Sequence, residues 1–141
     1  MKYKFIPELA TADVAFEAYG KTVEELFVNA ALAVSETMVK LDTVNPKIEK
    51  KLTFENEKLE QLLFDFLEEI VFIKDADYML FSEFEVKIEK NNKYKLTVTL
   101  RGEEINPEKH VLGNDVKAIT MHQFKVEQTK DGWKATVIVD V

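Results

Sequence analysis

From Val14 to Gly20 the chain alternates: Val14, Phe16 and Ala18 interleave with Ala15, Glu17 and Tyr19. Period two predicts a strand, closed by Gly20. Lys2 to Ile6 is short and stops at Pro7, which predicts an edge strand. Thr22-Val23-Glu24-Glu25 then has the form of a capping box, in which Thr22 accepts from the Glu25 N–H and Glu25 reaches back. Leu26, Phe27, Ala30, Ala31 and Val34 follow on one face of a helix that ends near Val39. Asn45-Pro46 marks a turn. Ile48, Leu52 and Phe54 alternate with Glu49, Lys51 and Thr53, a third strand. Asn56 is placed to cap a second helix, whose stripe of Leu59, Leu62, Leu63, Phe66, Leu67, Ile70 and Val71 is wide and apolar enough for the centre of the core.

From Phe84 the period returns to two. Phe84, Val86 and Ile88 share a face, Asn91-Asn92 can turn, and Tyr94, Leu96, Val98 and Leu100 alternate back, a hairpin. Gly102 to Asn114 reads as a polar loop holding Pro107 and His110. A last hairpin is expected from Val116 to Gln128, a turn at Asp131-Gly132, and Trp133 to Val141. The order β-β-α-β-α-ββ-ββ predicts an α+β fold, two helices packed on largely antiparallel sheet. One domain over residues 1–141 is expected at this length.

Composition removes several function classes. There is no cysteine, hence no disulfide, thiolate metal site or cysteine nucleophile. There is no apolar run long enough to span a membrane and no apolar h-region after Lys2 and Lys4, so a cytoplasmic protein is expected. The net charge of −7 repels phosphate backbones, so unaided nucleic-acid binding is not expected. Phosphate-binding glycine motifs and His-Glu-x-x-His are absent, and Ser35 and Ser82 lack the surroundings of a nucleophile elbow.

The C-terminal hairpin is more informative. With Asp131-Gly132 as its loop, Val126 faces Val137, Phe124 faces Val139 and His122 faces Val141, while Asp140 lies on the other face across from Gln123. The terminus is then held in a strand, and Asp140 with the terminal carboxylate of Val141 can offer oxygen atoms to a hard cation. If the strand that begins near Asp13 runs alongside, three carboxylates converge. Oxygen ligands favour calcium, magnesium or manganese over zinc. Equally, Asp13 can be a strand-start residue and Asp140 a solvated edge charge. His122 is either a satisfied core histidine or a neighbour of the metal. Lys117 shares the Asp140 face by parity, but six residues separate it from Gln123, roughly 20 Å along an ideal strand, so a bulge or bend is needed to bring it close.

"TADVAFEAYG" (Thr11 to Gly20), "LLFDFLEEIVFIKDA" (Leu62 to Ala76), "GEEINPEKH" (Gly102 to His110), "KAITMHQFKVE" (Lys117 to Glu127) and "VIVDV" (Val137 to Val141) together resemble the archease family, in order and over nearly the whole chain. The resemblance implies a small α+β accessory protein, not an enzyme. Archeases activate the RtcB-type tRNA-splicing RNA ligase, which uses manganese and GTP to join a 2′,3′-cyclic phosphate or 3′-phosphate end to a 5′-hydroxyl end. They promote guanylylation of the ligase and permit multiple turnover. The family's metal-binding acids fall on Asp13, Asp140 and the terminal residue Val141, with calcium the expected ion and magnesium or manganese as substitutes. The family's functional lysine falls on Lys117, and His122 lies near the partner or its nucleotide. One departure stands out: the family opens this motif with His-Thr-Ala-Asp, and here Ala10 replaces the histidine. A chaperone-like module that assembles the ligase without using a metal is the alternative, and a stand-alone metal-dependent hydrolase the third reading.

Overall fold

The computed structural model describes residues 1–7 and 13–141. Its elements run β1 Tyr3–Phe5, β2 Val14–Gly20, α1 Val23–Met38, β3 Ile48–Asn56, α2 Leu59–Asp77, β4 Met79–Lys90, β5 Tyr94–Glu104, β6 Ala118–Ile119, β7 Lys125–Thr129 and β8 Gly132–Asp140. The strands form two antiparallel sheets. One has the order β1-β2-β8, with β6 and β7 sharing the far edge of β8; the other has the order β3-β5-β4. The α+β expectation is met. The Ala10 position lies outside the described residues.

Both helices touch both sheets, so one core serves the whole fold. α1 is buried around most of its circumference, from Leu26 and Phe27 to Ala33 and Met38. Thr22 caps it, accepting from the Glu25 N–H at 3.1 Å, but the Glu25 carboxylate takes the N–H of Lys21 at 3.3 Å instead of that of Thr22. Gly20 lets the helix start close to β2, because a Cβ there would collide with the Leu26 backbone. The α2 stripe is buried as expected, with Phe66 at its middle: its ring stacks on Phe27 at 6.3 Å and meets Phe54 at 6.1 Å and Phe84 at 6.3 Å. Asn56 does not cap α2. It is still paired in β3 with Tyr94, and its side chain accepts from the Lys58 N–H at 2.9 Å, ordering the turn just ahead of the helix.

Two strand expectations shift. β4 begins at Met79, ahead of Phe84, because Met79, Leu80 and Phe81 are all buried and the register slips between Phe81 and Glu83. A bulge of this kind hides the alternation from the sequence. In the last hairpin Thr129 pairs with Gly132, so the turn is Lys130-Asp131 and not Asp131-Gly132. Gly132 is needed inside the strand: its φ is +149°, and a Cβ there would strike the carbonyl of Gly20. Val126 therefore faces Ala135 and not Val137. Within β7 the slip is even-numbered, so Lys125 to Thr129 keep their expected faces, whereas β6 is offset by an odd number and its residues change face.

Candidate functional site at the end of β8

β8 runs between β2 on one edge and β7 then β6 on the other. Val14, the first residue of β2, pairs with Val139, so Asp13 just before it lies at the same end of β8 as Asp140. On the other edge Ala118 pairs with Asp140, and the Lys117 N–H donates to the Asp140 carbonyl at 2.8 Å. The end of β8 is thus flanked by Asp13 on one side and Lys117 on the other. Asp13 and Lys117 are exposed, Asp140 is half-buried, and the Val141 side chain packs on the core, which holds the last residue of the sequence in place.

Lys117 gets there because Val116 to Gln128 is not one strand. Lys125 pairs with Thr136, while the Thr120 N–H donates to Ile138 and Ile119 pairs with Val139. Met121, His122 and Gln123 are left over and form an exposed turn, closed by a hydrogen bond from the Phe124 N–H to the Met121 carbonyl at 3.2 Å. This is the bend the sequence required for Lys117. It also corrects three expectations: His122 does not face Val141, Gln123 does not face Asp140, and the residue paired with Asp140 is Ala118, so strand parity does not put Lys117 on the Asp140 face. His122 is neither a core residue nor beside the terminus; its Nε2 lies 3.4 Å from the Gln123 amide nitrogen.

α2 holds the broken edge. Glu68 accepts the Ile119 N–H at 2.6 Å, and Glu60, two turns earlier, accepts the Val126 N–H at 2.9 Å. Between them Phe64 meets Phe124 edge-on at 5.5 Å. Further along, the buried Lys74 donates to Asp115 at 2.8 Å and to the Val116 carbonyl at 2.6 Å, and pairs with Asp75 at 2.7 Å. Burial pulls the Lys74 pKa down, but hydrogen bonds to Asp115 and Asp75 outweigh it, so its net shift is upward. Lys74 in turn holds the Asp115 carboxyl below its ordinary range, first by hydrogen bonding and then by charge. The segment leading into Lys117 is therefore anchored. Sequence reasoning missed Glu60, Glu68 and Lys74. Their one signal is a position on α2 beside the apolar stripe, which most solvated side chains of a helix share.

Asp13 also lines a cleft of about 450 Å³ with Phe5, Pro7, Glu36, Thr37 and Asn114 among its walls. Tyr3 has its hydroxyl pushed up to about 12, by burial and then by the charge and hydrogen bonding of Glu36. Among the described residues no group of three or more His, Cys, Asp or Glu side chains is placed to hold a metal. A cation here needs a main-chain oxygen beside the two aspartates. Carboxylate and main-chain oxygens are the donor set of a hard cation. His110, the other histidine, is buried far along the sequence in the loop after β5. It accepts from the Asn106 N–H at 2.9 Å and lies 3.3 Å from Glu103. Glu103 binds Lys109 through both oxygens at 2.7 and 2.8 Å, and takes the Asn45 N–H. The Lys109 hydrogen bonds first, and the Asn45 N–H next, hold its carboxyl down at about 2. Among the described residues no helix is long and apolar enough to cross a membrane.

The model of the archease protein family matches residues 3–141. The chain is similar to the protein archease of Pyrococcus abyssi, 42% identical over 133 residues that cover 93% of this chain and 94% of that one. It is 37% identical to the protein archease of Methanosarcina mazei over 142 residues, covering 99% and 96%. Among solved structures, that of Methanobacterium thermoautotrophicum protein 1598 superposes with a TM-score of 0.87 at 40% identity, covering 99% of both chains. The fold is shared with an archease from Thermotoga maritima described as a possible chaperone, at a TM-score of 0.64, 23% identity and coverage of 94% and 93%.

Proposed function

The chain belongs to the archease family, and from that membership we propose that it activates an RtcB-type tRNA-splicing RNA ligase as an accessory protein, promoting guanylylation and multiple turnover, without itself being an enzyme. The observation that carries this reading is the meeting of Asp13, Asp140 and Lys117 at one end of β8. A divalent cation (calcium, magnesium or manganese) would be held by Asp13, Asp140 and the terminal carboxylate of Val141, and would supply positive charge for phosphate oxygens.

The chain's own residues do the rest. Lys117, exposed at the same end of β8, presents an ammonium suited to a phosphate as a point charge. Strand pairing holds Asp140 and core packing holds Val141, which reduces the ordering left for the docked state. The surplus of acids suits a protein that leaves RNA binding to its partner. The partner works in the cytoplasm in this reading.

The test is RNA ligation by the ligase of the same organism, kept well below its substrate, with GTP and manganese, with and without this protein carrying an untagged terminus. Ligation is expected to pass from about one turnover per ligase to many. Unchanged ligation by a ligase that the protein binds and stabilises would overturn activation in favour of the chaperone-like alternative.

A further inference from the structure

Met121, His122 and Gln123 are surplus to the fold. Thr120 and Phe124 already stand opposite Ile138 and Val137, which are neighbours on β8, so the edge would close in register if the three residues were absent. Lys117 would keep its place beside Asp140. Edge protection does not explain the interruption either, because Glu68 and Glu60 already accept the outward N–H groups of Ile119 and Val126. The turn also carries two local penalties. Gln123 sits in the left-handed region at φ 57°, where a residue with a Cβ is disfavoured. Met121 is 55% exposed.

The turn is nevertheless rigidly presented. Both flanks are tied to α2, by Glu68 before it and by Glu60 and Phe64 after it. Its base, opposite Ile138, lies two residues from Asp140, about 7 Å along an ideal strand. Two lysines, Lys117 and Lys125, are exposed on either side of it in a protein of net charge −7, and Lys125 lies 3.8 Å from Glu127. A bulged edge next to a functional site is a recurrent way to aim side chains, and an exposed methionine fits apolar pockets of irregular shape.

We propose that the Met121-His122-Gln123 turn is a docking element that inserts into an apolar, acid-rimmed pocket of the protein partner beside its reacting site, with Met121 in the pocket and His122, Lys117 and Lys125 on the rim. The inference rests on the ligase reading above. It separates binding, done by the turn, from activation, done by the acids.

The experiment uses the full-length protein with residues 121–123 removed, and Met121→Glu as a second variant should the deletion fail to fold. Affinity for the ligase is read by calorimetry, and turnover is read across a range of activator concentration. Both variants are expected to bind at least tenfold more weakly and to reach wild-type turnover once saturating. Wild-type affinity in a folded variant would overturn the docking role while leaving activation intact. Loss of turnover at saturation with unchanged affinity would overturn it too, since the turn would then act in the chemistry. A wild-type protein that neither binds nor stimulates the ligase would remove the activator reading, and the docking role with it.

Discussion

In the β3-β5-β4 sheet, β5 meets β3 residue for residue from Tyr94–Asn56 to Gly102–Ile48, without a break. In the other sheet β8 pairs with β7 as far as Thr136, loses it, and picks up β6 at Val139. The regular sheet spends its solvent face on ion pairs such as Arg101 with Glu49 at 3.0 Å and with Glu85 at 2.7 Å. Exposed pairs of that kind hold little energy. The interrupted sheet gathers Asp13, Asp140 and Lys117 at one end. Regular pairing makes a scaffold, and the break in pairing presents an exposed turn close to the end where these residues meet.

The largest expected effect comes where the two sheets share support. Phe66→Ala removes the ring that links α1, β3 and β4, and is expected to cost about 3–5 kcal/mol in urea unfolding. One transition is expected, seen alike by probes in both sheets. Two separate transitions would break the picture of a common core.

A smaller effect should be confined to the interrupted sheet. Glu68→Leu leaves the Ile119 N–H without its acceptor, a loss of about 1–3 kcal/mol. Hydrogen exchange is expected to quicken at Ile119 and its neighbours, while the β3-β5 amides hold. Glu68→Gln keeps an acceptor oxygen and should behave nearly as wild type. Uniform quickening across both sheets would contradict the local role.

Acid sharpens the comparison from the other side. Glu103 lies at the end of β5, with its pKa lowered from 4.5 to about 2. A lowered acid contributes stability that is complete above its unfolded value and fades as pH falls toward its folded one. Stability is therefore expected to decline between about pH 4.5 and 2, and less steeply in Glu103→Gln. Equal acid slopes in the two proteins would contradict this assignment. The smallest effect is expected for Arg101→Met, which should leave ligase stimulation unchanged and chemical denaturation nearly so. Loss of stimulation would assign function to the regular sheet.

Legibility followed the pairing within each sheet. The stretches with an unbroken period were readable: β2, the α2 stripe, and β5 with the matching half of β4. Where the pairing slips, the sequence carried no period to read. The bulge at Ser82 hid the start of β4. The turn at Met121 split an alternation that looked continuous, and so misplaced His122 and Gln123. Asp13, Asp140 and Lys117 were legible as candidates from residue type and family resemblance. Their meeting depends on two registers that a single strand cannot encode. Gly132 was read as a turn glycine because Asp-Gly is a strong turn signal, but its use is a close approach to Gly20, a contact over a hundred residues away in sequence.

The central claim is that the acids at the end of β8 activate the ligase and are not needed to hold it. It is tested most directly by Asp13→Ala, with folding verified, in the multiple-turnover ligation assay alongside a measurement of ligase binding. Asp13 is exposed at a strand start, so the variant should fold. The account predicts wild-type binding and a fall to about one turnover per ligase. Full stimulation by the folded variant would contradict it.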